Sequence, residues 1–339
     1  MTQTFERLFV FMIYSKKREL IGDRFMTLGK TLTLVIVGAA SLAASAANAE
    51  ALRIGALPAA DSIVLYVAQD KGFFKEAGLD VEIIPFKSAL EIGAAMRAKK
   101  LDGHFGDLMN VFSQNEHGVP QAVILTTTHT SPEQRNFAFV TSPKAAAEIK
   151  SLADLKKTDT AMSSATIIDY LLDRMSEEQK LPADALNRVE VKQIPIRLQM
   201  LLSGQTPTAL LPEPLVSVVE AKGGRVIWDD RNLNETQAVV ALRKEALTDA
   251  NVKGIRAAVA KAAQVVEASP DEYRAVMVEK GLLPKPVAQN YKMLRFSFFK
   301  TADGLPPLPT EVEVKRVGEW MMAHKMLKNI PAYSEVIVK

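Results

Sequence analysis

The stretch that decides the fold lies at residues 52–86 and reads LRIGALPAADSIVLYVAQDKGFFKEAGLDVEIIPF. It begins with a short apolar run that ends at Pro58 and is typical of a strand. Residues 62–74 place apolar side chains at helical spacing and reach Gly72 near their end, which predicts a helix. Residues 80–86 predict a second strand. Strand, helix and strand in this order are typical of a parallel sheet covered by helices.

The same alternation continues toward the C-terminus and then restarts. Ser88 and Glu91 have the spacing of a capping box and predict a helix through residue 100. Residues 121–128 predict a strand that is buried on both faces. Further strands are expected at 101–106, 136–141, 158–162, 188–194, 208–211, 225–228 and 237–242, with helices between them and a helical C-terminal part. We therefore predict an α/β protein with two doubly wound, mostly parallel sheets flanked by helices.

The N-terminal part has the pattern of a secretory signal peptide at residues 26–49. A run of 19 uncharged residues, from Thr31 to Ala49, follows Lys30 and ends in Ala-Asn-Ala. A basic start, a short apolar core and an Ala-x-Ala end predict cleavage after Ala49. An uncleaved anchor is the alternative, but the strongly apolar part is shorter than the ~20 residues that a membrane helix needs. We interpret residues 1–25 as a non-structural extension or an over-called start.

Composition removes several classes of chemistry. The chain of 339 residues has no Cys, which excludes thiol catalysis, iron–sulfur clusters and Cys-based zinc sites. Its four histidines lack the spacing of paired metal ligands, so we expect neither a metal nor another cofactor. The net charge of +3 arises within residues 1–49, where six basic residues face three acidic ones. The remainder carries equal numbers of each, so we expect no nucleic-acid partner.

Several short segments recur together in one known family of proteins. They are LRIG at 52–55, LYVAQDKGFF at 65–74, AGLDVEI at 77–83, GVP at 118–120, IKSLADLK at 149–156, LSGQ at 202–205 and PEP at 212–214. With these segments the chain resembles the solute-binding proteins of ABC importers, of the nitrate/sulfonate/taurine and thiamine-precursor type. The resemblance covers residues 51–240 and is most specific at its start.

This resemblance implies a two-lobed type II periplasmic binding protein, whose lobes are joined by two crossing hinge strands. The implied first lobe comprises residues 50–140 and 236–339, and the second comprises residues 141–235. The implied function is that of a periplasmic, monomeric receptor that delivers a small organic solute to the transmembrane subunits of an ABC permease. The solute would be sulfonate- or taurine-like, nitrate-like or an aminopyrimidine, and its identity stays open.

Two other classes of protein compete with the receptor. One is an enzyme on the same fold, of the pyrimidine-synthase or menaquinone-pathway dehydratase type. The predicted signal peptide and the absence of Cys disfavour it, because those enzymes work in the cytosol and the synthases carry a cysteine-rich motif. The other is a periplasmic sensory domain, although nothing after Trp320 resembles an anchor or signalling module. We therefore predict no catalytic residue.

Candidate ligand contacts lie where strands end and helices begin, because ligands of α/β sheets bind outside the carboxyl ends of the strands. Free amides at helix N-termini also favour anionic groups. Several candidates also have an interpretation without a ligand. The serines would then only cap helices, and Glu213 and His129 would be surface side chains. The acids in these loops, which hold no Lys or Arg, favour an amine, an aminopyrimidine or a zwitterion over a dianion. The expected contacts are Asp61, Ser62, Ser88, Asp107, Thr128, His129, Ser163, Ser164, Thr166 and Glu213.

Overall fold

The structure is a computed structural model that describes residues 51–296 and 301–339. The predicted extension at 1–25, the signal peptide at 26–49 and its cleavage position lie outside the described residues. None of the helices in the described ranges is both long and apolar enough to cross a bilayer.

The first sheet follows from the strand–helix–strand run at the start of the described chain. Its strands, in the order β2-β1-β3-β10-β4, are β1 (Leu52–Ala56), β2 (Val81–Pro85), β3 (Gly103–Gly106), β4 (Gln121–His129) and β10 (Thr236–Arg243). β1 pairs in parallel with β2 and β3, whereas β10 is antiparallel to both of its neighbours. The sheet is therefore mixed, because β10 runs antiparallel to the other four strands.

The second sheet has the same arrangement. Its strands, in the order β7-β6-β8-β5-β9, are β5 (Phe137–Thr141), β6 (Thr158–Met162), β7 (Leu186–Glu190), β8 (Thr208–Pro212) and β9 (Val226–Asp229). β6 is parallel to β7 and β8, and β5 is antiparallel to β8 and β9. The chain passes from the first sheet to the second between β4 and β5, and returns between β9 and β10.

Helices cover the sheets and supply their connections. They are α1 (Ile63–Asp70), α2 (Phe73–Glu76), α3 (Ala89–Arg97), α4 (Leu108–Glu116), α5 (Ile167–Glu178), α6 (Ile194–Ser203), α7 (Leu215–Ala221), α8 (Asp249–Ala268), α9 (Pro270–Glu279), α10 (Lys285–Ala288), α11 (Glu311–Ala323) and α12 (Tyr333–Val336). The predicted fold class is confirmed, since mixed and mostly parallel sheets are flanked by helices.

Local chemistry explains where two expected elements differ from the structure. The helix expected at 62–74 is divided at Gly72, whose φ of +75° ends the first helix and begins α2. The strand expected at 188–194 is wrong in its bounds, because β7 ends at Glu190. Pro195 stands in the first turn of α6, which therefore begins at Ile194.

The C-terminal part contacts elements of both sheets. The Trp320 ring of α11 packs edge-on against Tyr170 of α5, with ring centroids 5.3 Å apart. The Trp320 Nε1 also donates to Asp173 Oδ2 at 2.8 Å. Further along, the Val338 amide donates to the Val123 carbonyl of β4 at 2.9 Å. Residues beyond α11 therefore contact the first sheet while α11 itself packs on a helix of the second.

Candidate functional site

A cavity of about 60 Å³ lies between the two sheets, where the parallel strands of each sheet end. Polar and apolar groups from both sides line it, and most of them are buried. The lining residues are Leu57, Ala59, Asp61, Ala89, Phe105, Gly106, Asp107, Gln237 and Ala238 on the first-sheet side and Phe137, Ser163, Thr166, Ile167, Ile168, Lys192, Ile194, Arg197 and Pro212 on the other. Carboxyl ends of parallel strands are the usual ligand position in α/β proteins.

Direct hydrogen bonds join the two sides of the cavity. The Ala60 amide donates to the Glu213 carbonyl at 2.8 Å, and the Ile194 amide donates to the Lys87 carbonyl at 3.0 Å. Each bond joins a residue of the first-sheet side to one of the second. The two halves therefore touch in this conformation.

Asp107 links two helix N-termini across the cavity. As the N-cap of α4, its Oδ1 accepts hydrogen bonds from the Asn110 amide and Nδ2, both at 2.8 Å. Its Oδ2 accepts from the Ile167 amide at the start of α5, at 3.0 Å. Burial raises the pKa of Asp107, although these donors act in the opposite direction. The sequence predicted free amides at the start of α5, which favour an anionic group. In the structure one of these amides, that of Ile167, donates to the Asp107 carboxylate instead.

Asp61 presents a second carboxylate to the cavity. Its side chain is 5% exposed, and Oδ2 accepts from the hydroxyls of Thr127 at 2.6 Å and Thr128 at 2.9 Å. Burial raises the pKa of Asp61 despite these bonds. Thr128, a predicted ligand contact, thus acts on the cavity by positioning Asp61 rather than by lining it. Ser62 is fully buried beside it and donates to the Ala59 carbonyl at 2.8 Å.

Arg197 brings a buried positive charge that the predicted contacts did not include. It is 1% exposed, and its Nε and Nη2 donate to the Val191 carbonyl at 3.2 and 3.0 Å. Its Nη1 has no hydrogen-bond partner among the described residues. Burial lowers the pKa of this guanidinium to about 10. Arg197 lies inside α6 and not in a strand-end loop, which is why its position in the sequence did not indicate the site.

Gln237 is the other lining residue that the predictions missed. It belongs to β10, whose residues are all buried, and is 1% exposed. Both its Nε2 and its Oε1 are buried without a hydrogen-bond partner in the described part of the chain. Buried amides are nearly always satisfied, so the unpaired Gln237 amide is unusual for a strand residue. A Gln at the start of a largely apolar strand is the signal that could have identified it.

The loop between β6 and α5 separates two neighbouring serines. Thr166 lines the cavity as N-cap of α5, where its hydroxyl donates to the Ser163 carbonyl at 2.8 Å and accepts from the Ile168 amide at 3.2 Å. Ser163 also lines the cavity. Ser164 does not, and its amide donates to the Glu190 carboxylate at 3.0 Å.

Two further predicted contacts lie away from the cavity lining. Ser88 caps α3 by accepting from the Glu91 amide at 3.2 Å. The Glu213 carboxylate accepts from Arg135 Nε at 2.7 Å and from the Ser217 hydroxyl at 2.9 Å. Burial raises the pKa of Glu213, and the Arg135 charge opposes that effect. The Glu213 backbone carbonyl accepts from the Ala60 amide of the first-sheet side at 2.8 Å.

His129 lies at the crossing between the sheets and outside the cavity lining. Its Nδ1 donates to the Thr130 carbonyl at 2.9 Å, and its Nε2 lies 3.2 Å from Glu313 Oε1. Burial alone would lower the pKa of His129, but the Glu313 carboxylate outweighs it and the pKa is raised. No group of three or more His, Cys, Asp or Glu side chains in the described ranges could hold a metal ion.

Two mixed sheets flanked by helices, with a cavity between them, define a protein of the periplasmic binding protein fold. A protein-family model described as "NMT1/THI5 like" matches residues 59–273, and the chain belongs to this family. A comparison with curated proteins finds no match.

Solved structures agree with this fold. The chain is similar to the alkanesulfonate-binding protein SsuA from Xanthomonas axonopodis pv. citri bound to MOPS, with a TM-score of 0.66 and 15% identity over 85% of this chain and 96% of that one. It is also similar to the periplasmic aliphatic sulphonate binding protein SsuA from Escherichia coli, with a TM-score of 0.66 and 18% identity over 85% of this chain and 97% of that one. For the periplasmic nitrate-binding protein NrtA from Synechocystis PCC 6803, the TM-score is 0.54 and the identity 15%, over 67% of this chain and 65% of that one.

Proposed function

We propose that the protein is the solute-binding component of an ABC importer and not an enzyme. It is exported by the signal peptide at residues 26–49, captures a small organic solute in the periplasm, and delivers it to the transmembrane subunits of a permease. The cavity between the two sheets is the observation that carries this proposal. Arg197 and Gln237 there keep buried polar atoms without partners in the described residues, a state that a bound solute would relieve.

The lining chemistry supports binding without turnover. The titratable groups of the cavity are Asp61, Asp107, Arg197 and Lys192, and the lining contains no His. Both oxygens of Asp107 already accept bonds from backbone amides, and Asp61 accepts two hydroxyls. Groups held in this way orient a solute, whereas acid–base catalysis needs a group that is free to exchange a proton with the substrate.

Opening requires the two sheets to separate about the crossings at residues 130–136 and 230–235. A hydrogen bond between the two sides, such as that from the Ala60 amide to the Glu213 carbonyl, contributes about 1 kcal/mol. A solute that contacts both sides therefore shifts the equilibrium toward the closed form by its differential affinity for that form. We assign residues 51–136 and 236–339 to one moving lobe and residues 137–235 to the other. The boundary predicted at residue 140 moves to residue 136, because β5 (Phe137–Thr141) lies in the second sheet.

Binding and turnover are separated by one experiment. Protein purified from the periplasm is analysed by native mass spectrometry, and candidate solutes are then incubated with it and quantified. We expect one solute per monomer, recovered unaltered, and a mature N-terminus at Glu50. A chemically altered solute would favour the enzyme, and failure to bind any small solute would overturn the receptor.

A further inference from the structure

A buried hydrogen bond with a charged acceptor crosses the cavity between the two lobes. The Asp107 carboxylate belongs to the first lobe, and its Oδ2 accepts from the Ile167 amide of the second lobe at 3.0 Å. Asp107 is 4% exposed, and Ile167 is buried as well. Gln193 Nε2 also donates across the lobes, to Glu91 Oε1 at 2.8 Å, but this pair is exposed. Because charge and low polarity both strengthen a hydrogen bond, we expect the Asp107 bond to contribute more to closure than the exposed pair.

The first turn of α5 leaves one amide to the opposite lobe. The Ile168 amide donates to the Thr166 hydroxyl at 3.2 Å, and the Asp169 amide donates to the Thr166 carbonyl at 3.0 Å. Both acceptors lie within the second lobe. The acceptor of the Ile167 amide is Asp107 of the first lobe. When the lobes separate, this amide therefore exchanges a carboxylate for water.

Asp107 is held in position by its own lobe. Its Oδ1 accepts from the Asn110 amide and from Asn110 Nδ2, both at 2.8 Å, and these bonds do not cross between the lobes. The carboxylate therefore loses little further side-chain freedom when it meets α5. The start of α5 is also the positive end of the helix dipole, which attracts a negative charge.

We propose that Asp107 is a latch between the lobes: its carboxylate caps α5 of the opposite lobe and favours the closed form before a solute binds. This inference rests on the proposed receptor function and concerns the regulation of its cavity. Both partners of the bond belong to the chain, so the latch needs no contact with the solute. A solute then has to supply only the remainder of the free energy that fully populates the closed form.

The test measures the distance between the lobes in solute-free protein. The chain contains no Cys, so the two introduced side chains of an Ala94→Cys, Gln199→Cys protein are the only ones that take a thiol-reactive spin label. Both positions are exposed, on α3 of the first lobe and on α6 of the second. The protein is freed of solute by unfolding and refolding, and double electron–electron resonance then resolves closed and open forms as a shorter and a longer distance. We expect the shorter distance to predominate.

Two variants remove the bond from opposite sides. Asp107→Asn leaves one oxygen for two helix ends, because the other becomes an amide that donates. We expect the ratio of closed to open protein to fall by about tenfold or more, as for the loss of a charge-assisted hydrogen bond. Ile167→Pro removes the donor and should have the same effect. Pro suits the first position of a helix, and Thr166 before it has the extended backbone that Pro requires.

Ile167→Val is the matched control, since it keeps the amide and changes only the side chain. Its ratio of closed to open protein should stay within about twofold of the wild type. The double variant Asp107→Asn, Ile167→Pro should open no further than either single variant, because all three lack the same bond. Multiplying effects in the double variant would overturn the latch. So would solute-free wild type that is mainly open, or an Asp107→Asn ratio that equals or exceeds that of the wild type.

These outcomes are separate from the receptor function. An unchanged ratio in Asp107→Asn, together with a solute found on the native protein by mass spectrometry, overturns the latch and keeps the receptor. A native protein that carries and binds no small solute overturns both. Circular dichroism checks that each variant folds, and if Ile167→Pro does not, the comparison of Asp107→Asn with the wild type decides.

Discussion

Replacing Arg197 by Met should stabilise the ligand-free protein while it removes ligand binding. A guanidinium with a pKa of about 10 carries a desolvation cost of about 3 kcal/mol, at about 1.4 kcal/mol for each pKa unit. Met fills a similar length of apolar space and avoids this cost. It also leaves the Val191 carbonyl without its two donors, a loss of about 1–2 kcal/mol. The net expectation is a gain of about 1–2 kcal/mol.

Urea unfolding of ligand-free protein measures this gain, with the slope m checked to be unchanged. The gain should be constant from pH 5 to pH 8, because the arginine stays protonated throughout this range. In the wild type, a ligand at about 100 times its Kd should add about 2.7 kcal/mol, and Arg197→Met should lose this increment. A variant that is less stable than the wild type yet keeps the ligand increment would refute the reasoning about Arg197.

Three further predictions concern stability. Burial raises the pKa of Asp230 to about 7, so between about pH 4 and pH 7 the folded chain holds a proton that the unfolded chain releases. The free energy of unfolding should therefore fall as the pH rises through this range. Urea unfolding of Asp230→Asn should show a weaker dependence of this free energy on pH. Trp320→Phe loses the hydrogen bond to Asp173 and should lower the unfolding free energy by about 1–3 kcal/mol, and an unchanged denaturation midpoint would contradict the role of α11 as a tie. Gly103→Ala places a Cβ 2.6 Å from a backbone carbonyl of β10 and should lower the unfolding free energy by about 2 kcal/mol or more, whereas Gly72→Ala meets nothing within 4 Å and should lose only about 1 kcal/mol from its positive φ.

The architecture was accessible from sequence because it depends on local patterns. The alternation of apolar strands and amphipathic helices predicted the order of elements, and β6 has the predicted bounds of Thr158–Met162. The rule that strand ends face the ligand led to Asp61 and Asp107, which follow β1 and β3. Both line the cavity, although their contact with a ligand stays a prediction.

The remaining site residues depend on tertiary packing, which no local pattern encodes. Arg197 lines the cavity because it is bonded to the Val191 carbonyl, in the loop between β7 and α6. Gln237 lines it because β10 inserts between β3 and β4 of the first sheet, although β9, which precedes it in the sequence, belongs to the second. The rule that ligands bind at strand ends also predicted both Ser163 and Ser164 as ligand contacts. Side-chain direction separates them, since only Ser163 lines the cavity.

The central claim is that one solute binds, chemically unaltered, in the cavity that Arg197 and Asp61 line. Native mass spectrometry of protein taken directly from the periplasm tests it most directly, with the double variant Arg197→Gln, Asp61→Asn as comparison. The account predicts one small solute per wild-type chain, identical in mass before and after incubation, and none on the double variant. A solute retained by the double variant, or one that the wild type converts, would contradict it.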